Sequence, residues 1–360
     1  MTTRPRSYLF PKIDRVVHGT GAIDRVPRIV DELGRTRVFV ITSRTLANTT
    51  PLVADLEAML GARRAGTFVG IGQHAPRTDI DAATDAARAA GADLLVGYGG
   101  SSVTDGTKIV ALALLDDRPH DAMPQILVPT TLSAGEYTPA AGMTGDVTGV
   151  KTYVADPRMA PFAVVLDPAV TLATPPELWL SSGVKSIDHA CETVWGPRAH
   201  PFTDTLALEA LRRLTAALPR TQAQPDDLDA RLECQLAAWM SMAGVVNVQV
   251  YLSHTLGHQI GARWDVPHGI TSGITLPPVM EFLTPRSPGA VARVAEVVGG
   301  ADGLRALVAG LGLPVRLRDV GARRAEIPDV ASAAYEAGRA SGFGGDVPVE
   351  DLEQLLEAMW

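Results

Sequence analysis

The chain has 360 residues, 46% of them hydrophobic and 20% charged, with a formal net charge of −8. That length buries a sizeable core and suits two domains. The composition excludes extended disorder, and the acidic balance argues against nucleic acid or an anionic membrane as a partner. Cys191 and Cys234 lie far apart without metal-type spacing, and no apolar leader or membrane-length apolar run is visible. A reduced, cytoplasmic protein acting on a small molecule is expected.

In chain order, residues 23–33 have helical spacing closed by Gly34, and RVFVIT at 37–42 is a β-branched strand run. Residues 79–90 form an alanine-rich helix ended by Gly91, and DLLVGY at 93–98 is a buried strand running into glycines. QILVP at 125–129 and AVVL at 163–166 are two further strands, the last closed by Asp167-Pro168. Short apolar strands separated by helices predict a parallel sheet covered on both faces. After Pro168 the pattern is helical: Ala207, Leu211, Leu214 and Leu218 share a face until Pro219 and QAQPDD interrupt it. Helices are also predicted at 231–245, 289–308 and 330–340, and Leu352, Leu355, Leu356 and Met359 close the chain on one apolar face. The fold class expected is an α/β N-terminal nucleotide-binding domain over residues 1–167 and an all-α C-terminal catalytic domain over 168–360.

Four stretches carry the chemistry. LSHTLGHQIGARWDVPHGITSGITLPPVM at 252–280 holds three of the eight histidines. His254 and His258 are four apart, on one helix face, and His268 follows in a Pro-His-Gly connection. VGYGGSSVTD at 96–105 ends a strand and opens a helix, where glycines and exposed N–H groups suit a diphosphate. The Thr/Ser-rich PTTLSAGEYT at 129–138 follows the next strand in the same sense, beyond the carboxyl end where ligands of open α/β sheets collect. SGVKSIDHACE at 182–192 reads as a helix start, with Lys185 and His189 on one face and Asp188 pointing elsewhere. A surface lysine beside a buried histidine is the plain alternative.

Taken in order, these segments resemble the iron-containing alcohol dehydrogenase family, whose fold is dehydroquinate synthase-like. The family's GGGS-x-x-D-x-x-K loop stands here as GGSSVTDGTK at 99–108, with Ser101 for the third glycine. PTT-x-x-x-x-E-x-T, Gly142-Met143-Thr144, Thr174-Pro175-Pro176 and Ser182-Gly183 are most similar to its maleylacetate reductase branch. The similarity runs from about Phe10 to Trp360.

The resemblance implies NAD or NADP held at Gly99, Gly100, Ser101, Ser102 and Asp105, at Thr130 and Thr131, and at Lys151 before a turn at 153–156. Ser43 and then Arg44 stand where NAD-preferring members place an aspartate. This tips the reading slightly toward NADP, because no carboxylate is there to repel a 2′-phosphate. A homodimer is the family expectation.

Iron-dependent members hold their ion with an aspartate, a histidine four residues later, and two histidines fourteen apart. His189, His254 and His268 match, but the aspartate position is Lys185. An ammonium cannot ligate, and Asp188 is expected to face away. The reading that follows is a metal-independent NAD(P)H-dependent reductase of an anionic carbonyl or keto-acid. In it Lys185 polarises the carbonyl, and His189, His254, His258 and His268 supply hydrogen bonds and the proton. The alternatives are an Fe- or Zn-dependent alcohol dehydrogenase and a lyase or cyclase on the same fold. Tyr137, Trp195 and Arg263 are either shape-setting or plain packing residues.

Overall fold

The computed structural model describes residues 7–117, 123–145, 151–248, 251–341 and 347–360. They fall into two compact units, the first ending at Thr174 and the second beginning at Pro175, a little beyond the joint expected at Asp167.

The first unit runs β1 (Arg15–His18), α1 (Val26–Glu32), β2 (Val38–Thr42), α2 (Arg44–Thr49), α3 (Leu52–Leu60), β3 (Arg64–Val69), α4 (Arg77–Ala89), β4 (Leu94–Gly99) and α5 (Ser101–Ala113). It continues with β5 (Gln125–Pro129), β6 (Ala140–Thr144), β7 (Lys151–Ala155) and β8 (Ala163–Leu166). Six strands form one sheet in the order β1-β8-β5-β4-β2-β3, every neighbouring pair parallel. β6 and β7 pair antiparallel on their own.

The central strands are buried on both faces, as their unbroken apolar runs require. Val38 and Val40 of β2 pack into one cluster with Val30, Leu56 and Leu60, while Phe39 and Ile41 between them face Ile80, Ala83 and Ala87. Burying each such side chain contributes about 1.5–3 kcal/mol. β2 and β4 are neighbours, yet the chain leaves β2 outward to β3 and leaves β4 the other way to β5. This reversal puts a crevice at the carboxyl ends of β2 and β4, beside Ser43 and Gly99.

The second unit holds α6 (Pro176–Trp195), α7 (Pro201–Ala223), α8 (Leu228–Met242), α9 (Val245–Val248), α10 (Leu252–Trp264), α11 (His268–Leu283), α12 (Pro288–Val298), α13 (Gly300–Gly310), α14 (Ile327–Ser341) and α15 (Val349–Ala358). No strand occurs among its described residues.

Four details differ from the sequence reading. α7 continues through Pro219, which has no N–H to offer the Thr215 carbonyl, and the helix runs on to Ala223 despite that lost bond. The helix expected at 289–308 is two helices, parted at Gly299 with φ +77°. The segment taken as a turn at 153–156 lies mostly in strand β7. Ser182 is not a helix start, because α6 begins at Pro176 and places Lys185 well inside the helix. No helix among the described residues is long and apolar enough to cross a membrane.

Candidate active site

In the first unit the expected cofactor residues cluster at the carboxyl ends of β2, β4 and β5. Gly100 caps the start of α5, followed by exposed Ser101 and half-buried Ser102. The Ser102 hydroxyl accepts the His74 N–H at 3.0 Å. Thr130 donates its N–H to the Gly99 carbonyl at 2.9 Å, tying the two loops together, and the Thr131 and Ser133 hydroxyls are 3.2 Å apart. Ser43 uses its hydroxyl to cap α2, accepting the Leu46 N–H at 3.2 Å, and leaves Arg44 exposed as the first helical residue. Asp105 accepts the Gly142 N–H at 3.2 Å and so braces β6. Lys151 opens β7, and its side chain lies outside the described residues.

Behind these loops, the fully buried Lys108 donates to the carbonyls of Gly135 (2.7 Å), Thr138 (3.1 Å) and Ala140. Asp105 is 3.9 Å from its Nζ. Burial pushes the Lys108 ammonium below its ordinary value, against the pull of Asp105 and Glu136. Burial also lifts the Glu136 carboxyl to about 7. Lys108 therefore locks the shape of the 130–140 loop from below.

In the second unit α6, α10 and α11 bring together all five residues expected to carry the chemistry. Two close approaches allow this. A Cβ on Gly269 would fall on the Ser181 carbonyl oxygen of α6, and one on Gly257 would lie 2.9 Å from the Thr271 hydroxyl of α11. Glycine at both places lets α11 seat against its two neighbours. The His189 and His254 rings stack with centroids 5.0 Å apart. His268 meets His254 edge-on at 5.8 Å and His258 at 4.4 Å. Lys185, His189 and His254 form a buried floor, His268 is half-buried, and His258 is exposed at the mouth.

Asp188 corrects the sequence reading. It does not face away: its Oδ2 is 3.1 Å from Lys185 Nζ and 3.3 Å from His254 Nδ1, and it accepts the Ser272 hydroxyl at 2.6 Å. Three residues on a helix turn only about 60° short of a full circle, so Asp188 shares the lysine's face. Burial pushes its carboxyl up, but His254, Lys185, Ser272 and Ser253 together outweigh burial and hold it below its ordinary value. Burial, reinforced by the positive charge of Lys185 and His254, drives the His189 imidazole well below its usual range. His189 is thus neutral at physiological pH.

Glu192, one turn beyond Asp188, was not singled out from sequence. It is fully buried, and its Oε2 is 2.7 Å from His254 Nδ1. The same carboxylate accepts the backbone N–H groups of Tyr251 (2.7 Å) and Ser253 (2.6 Å). Its spacing was the available signal, since residues 185, 188, 189 and 192 form one stripe on α6. Of the expected shape-setters, Tyr137 and Trp195 are buried, and Arg263 is paired with Glu326 and Asp329.

A divalent ion does not fit this donor set. Asp188, Glu192 and His254 do place one ligand atom each within 4.8 Å of the others. Yet the Lys185 ammonium already lies against Asp188, and Glu192 is already taken by two N–H groups and an imidazole. A dication there would displace those donors and sit beside a fixed positive charge.

Residues 13–168 match the family profile described as iron-containing alcohol dehydrogenase, and residues 179–360 match that of the Fe-containing alcohol dehydrogenase family, C-terminal. The chain is 33% identical to a maleylacetate reductase of Sphingobium indicum, over 95% of this chain and 94% of that one. It is 36% identical to maleylacetate reductase 2 of Cupriavidus pinatubonensis, over 79% and 76%. The crystal structure of maleylacetate reductase from Agrobacterium tumefaciens superposes with a TM-score of 0.87 at 29% identity, over 99% of both chains. Fold and site thus define an oxidoreductase built from a parallel-sheet unit and a helical unit. The chain belongs to the iron-containing alcohol dehydrogenase family, whose members are oxidoreductases that use NAD(P)H, and this membership speaks against a lyase or cyclase.

Proposed function

We propose that this chain reduces an anionic carbonyl or conjugated keto-acid with NAD(P)H and without a divalent ion, the Lys185 ammonium taking the electrophile's part. The observation that carries this reading is the buried Lys185–Asp188 ion pair beside His189 and His254. Lysine has three N–H donors, and Asp188 takes one of them. Such a donor stabilises the substrate oxygen as hydride reaches carbon and negative charge builds on that oxygen. His254 or His258 then supplies the proton. The names of the maleylacetate reductase relatives support a keto-acid substrate.

Among the residues expected at the cofactor, the exposed Arg44 beside Ser43 favours NADPH. A guanidinium at that place attracts a 2′-phosphate. A homodimer is part of the same reading.

The test is NADPH and NADH consumption with maleylacetate and related oxo-acids, with and without chelator, alongside elemental analysis. Chelator-resistant turnover by metal-free protein is expected. Stoichiometric iron or zinc with chelator-sensitive turnover selects the metal-dependent alcohol dehydrogenase instead.

A further inference from the structure

Most of what the site does depends on how His254 presents its two ring nitrogens. Its Nδ1 faces two carboxylates, Glu192 Oε2 at 2.7 Å and Asp188 Oδ2 at 3.3 Å. Carboxylates only accept hydrogen bonds, so the proton on that edge belongs to the imidazole. Which nitrogen of a histidine is protonated is set by the bond its partner nitrogen makes. Glu192 is itself held, because its two oxygens also take the Tyr251 and Ser253 N–H groups at the start of α10. α10 has no side-chain cap of its own, so a buried carboxylate from α6 fills that place. One side chain therefore fixes both the first turn of α10 and the ring it carries.

We propose that Glu192 is a positioning residue of the active site, keeping a proton on His254 Nδ1 so that Nε2, on the ring edge remote from the carboxylates, faces the reacting oxygen: the imidazolium gives its Nε2 proton to the alkoxide and is left as the Nδ1–H tautomer. Asp188 supports the arrangement, binding Lys185, His254 and Ser272 through one oxygen. Lys185 and His254 are thereby oriented by adjacent carboxylates on one stripe of α6. The assignment deepens the reductase reading and rests on it for the identity of the reacting oxygen. The tautomer itself does not depend on that reading.

Two measurements test it. Long-range ¹H–¹⁵N NMR of the full-length wild type, with His254 assigned by its loss in a His254→Gln variant, is expected to show Nδ1–H at neutral pH. An Nε2–H ring in the wild type overturns the proposal, whatever any variant does. Glu192→Gln keeps the size of the side chain but holds the Nδ1 proton less firmly. We expect its kcat to fall about 10²-fold or more, with KM for substrate and cofactor within about twofold. Its His254 spectrum should change from one tautomer to a mixture. A purely structural role would lower the yield of folded protein and leave kcat per folded site unchanged, which also overturns the proposal. If the wild type oxidises no NAD(P)H with any oxo-acid, the reductase reading fails while the NMR result still decides the role of Glu192.

Discussion

Lys185 and Asp188 form a 3.1 Å ion pair in the interior of the helical unit, three residues apart on one helix. Their proximity makes the ammonium a fixed feature of the site, because a buried charge persists only where a counter-ion faces it. Lys185→Met is expected to lower kcat by about 10²- to 10³-fold, the usual loss when a donor to a developing oxyanion is removed. Steady-state kinetics with saturating NADPH measures it. Turnover within twofold of wild type would remove the lysine from the mechanism.

The same position governs metal affinity. Lys185→Asp sets a carboxylate four residues before His189, with His254 and His268 already close by. Uptake of Zn²⁺ or Fe²⁺ by this variant, and none by the wild type, is expected from elemental analysis after dialysis. Equal metal content in both would show that the ammonium does not exclude the ion.

Gly269→Ala is expected to cost about 1–3 kcal/mol or more of stability in chemical denaturation, and to reduce kcat. The added methyl meets the Ser181 backbone carbonyl, which no side-chain change can move. α11 must shift and take His268 with it. A companion Ser181→Gly substitution should therefore fail to restore either property.

In the parallel-sheet unit, Lys108→Met leaves the carbonyls of Gly135, Thr138 and Ala140 without their shared donor. A loss of about 3–5 kcal/mol is expected, from the strandings of buried partners. In protein that still folds, NADPH affinity measured by fluorescence should fall, because the 130–140 loop has lost its anchor.

Glu136 predicts a pH dependence of stability. Burial lifts its carboxyl from 4.5 to about 7. The folded state therefore holds this proton more tightly than the unfolded chain does. The stabilisation is full below pH 4.5 and lost as pH rises through 7, with a size of about 3 kcal/mol. Glu136→Gln should flatten that part of the stability profile, as read by thermal melts between pH 5 and 8. An unchanged profile would mean the carboxyl is not the titrating group.

The central strands, the glycine loop and the histidine cluster were legible in the sequence because each depends on local pattern. β2, β4, β5 and β8 are all-apolar and buried, and such runs announce themselves. β1 and β3 are the edge strands, and their arginines and exposed positions dilute the pattern. β6 and β7 form a two-stranded sheet of their own, and no apolar run marks them.

In the candidate site, Lys185 and the four histidines were visible as residue types, whereas the partners of His254 were not. The direction of Asp188 follows from helix geometry, but reading it as the neighbour of His189 concealed its relation to Lys185. Glu192 looks like an ordinary surface glutamate until α10 packs over it, so its role emerges only from tertiary contact.

The carboxylate of Glu192 takes the amide hydrogen of Tyr251. This gives a rule for variation at that position: as far as the helix start is concerned, every amino acid is acceptable except proline, which has no amide hydrogen to offer. In a library at residue 251 scored for turnover, proline is thus expected among the inactive replacements, since it alone cannot supply that hydrogen.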